Sequence, residues 1–270
     1  MQMKERDDRI DYVKAVLISF VVVIHVLAAH ETAGTATPFM HTARIVLYCT
    51  AIPLFFAVSG WLCRPQPVCQ YYRKKFVRVL VPFFIFSALK LLYGTVVSAR
   101  YAHADTLAGR LADALVFGRL YWFAYAIFGV LALAPLLWRL RTRALFAALA
   151  LGVGIACTEK YMPAAFQLKA VAALLPYFIL GMTARRICSR FASAAPCRTA
   201  PNVPLRALAF TGRNAWAIMF LDAFFKAFLV QIMPQRAMAS LVICLDLLLC
   251  AATCRFLSHL PGHRFLGVSK

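Results

Sequence analysis

The segment Asp11–Glu31, DYVKAVLISFVVVIHVLAAHE, decides how the rest of the chain is read. It is about as long as a helix that crosses a bilayer. Between Val13 and Ala29 its only ionisable side chains are Lys14 and His25. An imidazole set among valines and isoleucines is costly in hydrocarbon, so it should face a bundle interior or a wet cavity. At 100° per residue the step from Lys14 to His25 is three turns plus about 20°, which puts both on one helix face, about 16 Å apart along the axis. A buried histidine bonded to a neighbouring helix is one reading of His25. The other is acid–base or nucleophilic chemistry, which suits a group that titrates near neutrality. His30 and Glu31 close the segment, where a solvated loop accounts for them.

Composition extends the same reading to the whole chain. Of 270 residues, 63% are hydrophobic and 15% charged, too few charges for a soluble domain of this length. No alternating strand pattern is present, so the expected fold is all-α, a polytopic bundle of transmembrane helices formed by a single domain, residues 1–270. Eight spans are expected, at roughly 12–30, 44–62, 76–98, 119–138, 144–158, 168–184, 214–233 and 237–257. The flank MKERDDRIDYVK mixes acids with bases, so the first span reads as a retained signal anchor, not a cleaved leader. The longest polar connection, Arg185–Arg206, reads as a Pro/Ser/Arg-rich loop.

The net charge of +20 would suggest nucleic acid in a soluble protein, but here the charges cluster between apolar runs. With the N-terminus inside, the inner segments collect Lys4, Arg6, Arg9 and Lys14, then Arg64 and Arg73–Arg78. They also take Arg139–Arg143, Arg185–Arg206, Arg255, Arg264 and Lys270, the larger part of the 30 basic residues. The positive-inside rule then puts both termini in the cytoplasm, with membrane lipids and not nucleic acid as the partner of that charge. The nine cysteines show no CxxC or Cys/His ligand spacing, so no metal and no disulfide framework is expected.

Further motifs follow in order: IPLFFAVSGWL (Ile52–Leu62), RKKFVRVLVP (Arg73–Pro82), YWFAYAIFGVLALAPLL (Tyr121–Leu137) and LPYFILGMTARR (Leu175–Arg186). With RIDYVKAVLISFVVVIH, they resemble the acyltransferase 3 family, membrane enzymes that acylate glycans and related acceptors. Asp11, Lys14 and His25 fall on that family's aspartate, basic residue and histidine. Lysine replaces the usual arginine, a point charge in place of a bidentate fork. GRNAWAIMFLDAFF resembles the late Gly-x-x-Ser helix, with Ala215, Met219 and Asp222 where the family carries serine, tyrosine and histidine.

The resemblance implies an acyl-CoA co-substrate, most often acetyl-CoA, no permanently bound cofactor, and a carbohydrate or lipid-linked glycan as acceptor. It implies a bacterial inner-membrane location. His25 would be the general base or would carry the acyl group itself. Lys75 and Arg78, three apart and hence on one helix face, would hold the donor's phosphates with Lys14; anchoring to anionic lipid is the alternative. Ser59 lacks the Gly-x-Ser-x-Gly context of a nucleophile, so Ser59 and Gly60 are read as close helix packing. Trp122 would line a substrate channel or belong to an interfacial aromatic belt. Asp222 and Asp246 are possible acceptor-side or structural groups. Asp222 can pair with Lys226 one turn on, and Asp246 and Lys90 should face the interior. A transporter using His25 as a proton relay, or a catalytically degenerate relative, are the alternative functions.

Overall fold

The structure, a computed structural model, describes residues 8–97, 107–117, 121–163, 165–191, 203–232, 239–266 and 268–269. It is helical throughout, with no strand among the described residues. The helices are α1 (Asp8–Thr32), α2 (Pro38–Leu62), α3 (Val68–Lys75), α4 (Val81–Val97), α5 (Leu107–Leu115) and α6 (Trp122–Trp138). They continue with α7 (Thr142–Cys157), α8 (Leu168–Phe191), α9 (Val203–Arg213), α10 (Ala215–Ile232) and α11 (Ala239–Leu257). The expected spans correspond in order to α1, α2, α4, α6, α7, α8, α10 and α11. Ile10–Thr32, Pro38–Leu62 and Ala165–Ser189 are long and apolar enough to cross a membrane; Trp122–Trp138 and Thr142–Cys157 are shorter apolar helices.

Two stretches differ from the sequence reading. The polar connection Arg185–Arg206 is not loop at its ends: α8 runs on to Phe191 and α9 starts at Val203, while residues 192–202 lie outside the described residues. Pro204 is tolerated because the first helical turn needs no amide donor there. The basic segment before the third span, where the spacing of Lys75 and Arg78 implies α-helix, is not one regular helix. It forms α3 and then a π-helical stretch, Phe76–Leu80, leading into α4.

The chain divides into two compact units, one of residues 1–55 with 193–270, the other of residues 56–192. In the second, α8 packs on α6 and α7, and α3 packs on α6. Pro135 inside α6 cannot donate to the carbonyl four residues earlier, that of Leu131. The buried Tyr71 hydroxyl donates to that carbonyl at 2.8 Å, and Tyr72 donates to Ala132 O at 2.8 Å. Burial holds the Tyr71 hydroxyl well above its ordinary pKa, with the neighbouring Cys63 adding to the shift, so it remains a donor. Two arginines in the C-terminal half of α8 each close another helix. Arg185 donates to Trp61 O at 3.2 Å and Cys63 O at 3.0 Å, at the end of α2. Arg186 donates to Trp138 O at 2.8 Å and also to Leu140 O, at the end of α6. Unsatisfied terminal carbonyls thus find cations, the favourable sign for a helix C-terminus.

Helix α2 meets α8 through backbone. A Cβ on Gly60 would overlap the Phe178 carbonyl, and one on Gly181 would overlap that of Ala57. The missing side chain at Gly60 lets the two helices approach. Gly154, on α7, has nothing within 4 Å of where its Cβ would stand. Gly181→Val should lower the thermal midpoint in detergent, overpacking costing about 1–3 kcal/mol. Gly154→Ala should leave it level or raise it, since a helical alanine gains up to about 1 kcal/mol over glycine. Equal midpoints for the two variants would refute the tight α2–α8 crossing.

In the first unit α1 is the central helix and packs on α9, α10 and α11. Ala15, Ile18, Val22 and Val26 are buried along it. Gly212 on α9 crosses it so closely that a Cβ would overlap the Asp11 carbonyl. Asn214 breaks α9 from α10. Its side chain donates to Phe210 O at 2.9 Å and accepts from Ser269 N at 2.7 Å, while its carbonyl accepts from Ile218 N, in the first turn of α10, at 3.0 Å.

Candidate active site

Continuous helix from Asp8 to Thr32 preserves the three-turn phase between Lys14 and His25. Both side chains are partly exposed, at 25% and 33%. The residues flanking His25, Ile24 and Val26, are buried, so the imidazole stands at the border of a dry interior. Its partner comes from the other end of the chain. Asp222 on α10 is fully buried, and its Oδ2 contacts His25 Nδ1 in a hydrogen-bonded pair. An ionised carboxylate is acceptor-only, so the imidazole donates through Nδ1 and its Nε2 lone pair is left to accept a proton. A carboxylate placed this way fixes the tautomer and orientation of a histidine base, and stabilises the imidazolium that forms.

Asp246 on α11 is likewise fully buried, one turn from Cys250, whose thiol donates to Asp246 Oδ1 at 3.4 Å. The sequence reading named both aspartates without joining either to His25. It offered Asp222 to Lys226 because helical spacing finds local partners and not partners on distant helices. The Lys226 side chain lies outside the described residues. The signal that was present is the cost of a carboxylate inside a span, which demands a partner facing it.

At the N-terminal end of α1, Asp11 is buried and sits between two cations. Lys14 Nζ lies 3.6 Å from its Oδ1, and Arg213 Nε lies 3.8 Å from its Oδ2. Arg213 belongs to the last turn of α9, just before α10 begins. Two cations against one carboxylate leave this cluster net positive, next to the helix end that favours anions. Arg213 was not among the sequence candidates, although it follows the glycine of a motif already singled out.

The remaining candidates lie in the second unit. Lys75 closes α3 and Arg78 falls in the π-helical stretch, so the spacing between them is not purely α-helical. The π-helical stretch has i→i+5 hydrogen bonding and a wider turn. Lys75 is half-buried with its ammonium 5.5 Å from the centre of the Tyr71 ring, and Arg78 is exposed. Ser59 is half-buried beside the Gly60 crossing. Trp122, half-buried, opens α6 and stands edge-on to Phe123 at 5.7 Å. Lys90 places its ammonium 5.1 Å from the Tyr121 ring centre, a cation–π contact that keeps the charge partnered. At the C-terminal end of α1, Glu31 accepts from Arg44 Nε and His41 Nδ1, each at 2.8 Å, which ties α1 to the start of α2. No cluster of metal-ligating side chains occurs among the described residues.

Residues 7–264 match the family model described as an acyltransferase domain, that of acyltransferase 3. No curated protein matches the chain, and no solved structure does. The match takes in α1 with its histidine, the tight α2–α8 crossing and the late helix that carries Asp222, which is essentially the whole chain. The protein is thus a member of the acyltransferase 3 family of membrane acyltransferases.

Proposed function

We propose that the protein transfers an acyl group, chiefly acetyl from acetyl-CoA, to a hydroxyl of a sugar or lipid-linked glycan. It does so in a bacterial inner membrane, with both termini in the cytoplasm. The observation that carries this reading is the His25–Asp222 pair: an imidazole oriented through Nδ1 by a buried carboxylate, inside a family of acyltransferases. His25 Nε2 takes the proton of the acceptor hydroxyl as its oxygen attacks the thioester carbonyl. When the C–S bond breaks, the departing CoA thiolate takes that proton back from the imidazolium. Asp222 balances the positive charge on the ring between the two transfers. Purified protein in lipid nanodiscs should release CoA thiol from acetyl-CoA when a hydroxyl acceptor is added. Failure to consume acetyl-CoA with any glycan acceptor would overturn the donor assignment.

The cluster of Lys14 and Arg213 supports a cytoplasmic anion site for the donor. Charge-assisted bonds to phosphate are among the strong ones, and an arginine fork supplies the bidentate geometry that Lys14 lacks. Arg213→Gln should raise KM for acetyl-CoA by about tenfold, on the order of 1.4 kcal/mol of lost binding. KM for acetyl-pantetheine, which has no nucleotide phosphates, should stay unchanged. A rise for both donors would assign Arg213 a structural role in holding Asp11 and not a phosphate-binding one.

A further inference from the structure

The mechanism above leaves one fully buried carboxylate unused, that of Asp246. Its place follows from the register of α10 against α11. The Cys250 thiol lies 4.0 Å from Ile218 O on α10 and 3.4 Å from Asp246 Oδ1 on its own helix. Leu229 and Val242 belong to one buried cluster with Val26, the residue after His25. Contacts that pair early α10 with late α11, and late α10 with early α11, make the two helices antiparallel. Four residues back along α11 from Cys250 is Asp246; four residues forward along α10 from Ile218 is Asp222. Each step is one turn on one face. Asp246 and Asp222 therefore stand level in the same interface, both at 0% exposure.

Two carboxylates at one level of a dry interface repel if both are ionised, and a close pair shares a proton instead. Asp222 already accepts from His25, which marks it as the anion of the two. We propose that Asp246 carries the shared proton and donates it as a hydrogen bond to Asp222, forming a chain from carboxylic acid to carboxylate to imidazole. In this chain Asp246 is a positioning residue. It touches neither substrate nor reacting atom, but holds Asp222 in the orientation that presents His25 Nε2 to the acceptor. The inference rests on the assignment of His25 as the base.

The test compares variants that separate donation from ionisation and from packing. Asparagine keeps a neutral donor of the same shape, so Asp246→Asn should retain kcat within about threefold of wild type. Leucine fills the site but donates nothing, and Asp246→Leu should lower kcat by about 30-fold or more while KM for acetyl-CoA moves less than about twofold. Asp246→Ala is run beside it, so that an apolar variant that does not crowd the interface is also measured. A carboxylate kept only for packing predicts the reverse, since apolar replacement of a buried polar group is often neutral or stabilising. Wild-type kcat in the leucine or alanine variant would overturn the proposal. So would a loss of more than about tenfold in the asparagine variant, the outcome if Asp246 acted as an anion or exchanged its proton during turnover. The parent reading fails separately, and visibly, if wild-type protein does not use acetyl-CoA or if activity survives replacement of His25.

Discussion

Replacing His25 with alanine or glutamine is expected to lower kcat by about 10³-fold, within the range general-base catalysis supplies. KM for the acyl donor should stay within about twofold, since in the proposed mechanism the imidazole acts on the acceptor proton and not on the donor's nucleotide. The glutamine variant is the informative one. Its amide can still donate to the Asp222 carboxylate, so the buried acid keeps a hydrogen bond while the base is gone. Thermal stability of His25→Gln in detergent should therefore stay near wild type, whereas the alanine variant leaves Asp222 without that donor and should be less stable. Steady-state rates at saturating acetyl-CoA, with midpoints of unfolding beside them, check both halves. A glutamine variant that keeps more than about a tenth of wild-type kcat would remove His25 from the mechanism.

Asp222→Asn should be nearly as damaging, lowering kcat by about 10²-fold or more although the shape of the side chain is kept. The reason is the direction of one hydrogen bond. The Asp222 carboxylate only accepts, which places the imidazole proton on Nδ1 and leaves Nε2 bare. An asparagine amide can donate to Nδ1, which moves the proton to Nε2 and closes the nitrogen that faces the acceptor. The amide also cannot balance an imidazolium. Membrane insertion and KM for acetyl-CoA should be unaffected, so the loss should appear in kcat alone. A wild-type rate in this variant would show that the buried pair is structural and that His25 works, if at all, without orientation.

These two residues also mark how far the sequence could be read. The helices of the bundle, their order and the phase of Lys14 against His25 follow from apolar run length and a period of 3.6, both properties of neighbouring residues. Small residues in a span are a packing signal of the same local kind, and Gly60 stands at a close helix crossing. Partners supplied by distant helices were not legible. Asp222 meets His25 across 197 positions of chain, and the spacing rule that was available offered it Lys226 instead. Arg213 reaches Asp11 only because Gly212 lets α9 cross α1 in backbone contact. Between Lys75 and Arg78 the chain makes a π-helical turn, a local detail that no residue in FVRVL announces.

The late helix gains a different meaning from these contacts. Against the family pattern, Ala215, Met219 and Asp222 looked like lost acceptor-side groups. In the fold, Ala215 and Met219 are buried, and Asp222 has become the partner of the histidine on α1. The departure at Asp222 reads as an exchange of chemistry, and the His25–Asp222 pair makes activity the expectation.

The most direct test of the central claim follows the acyl group itself. Membranes containing the protein are supplied with acetyl-CoA labelled in the acetyl carbons, and the glycan fraction is analysed by mass spectrometry before and after mild alkaline hydrolysis. Labelled acetyl esters on glycan hydroxyls in wild-type membranes, absent with His25→Gln, are the result expected of an acyltransferase whose base is His25. Label that remains on CoA in both samples, or reaches the glycans equally in both, would contradict it.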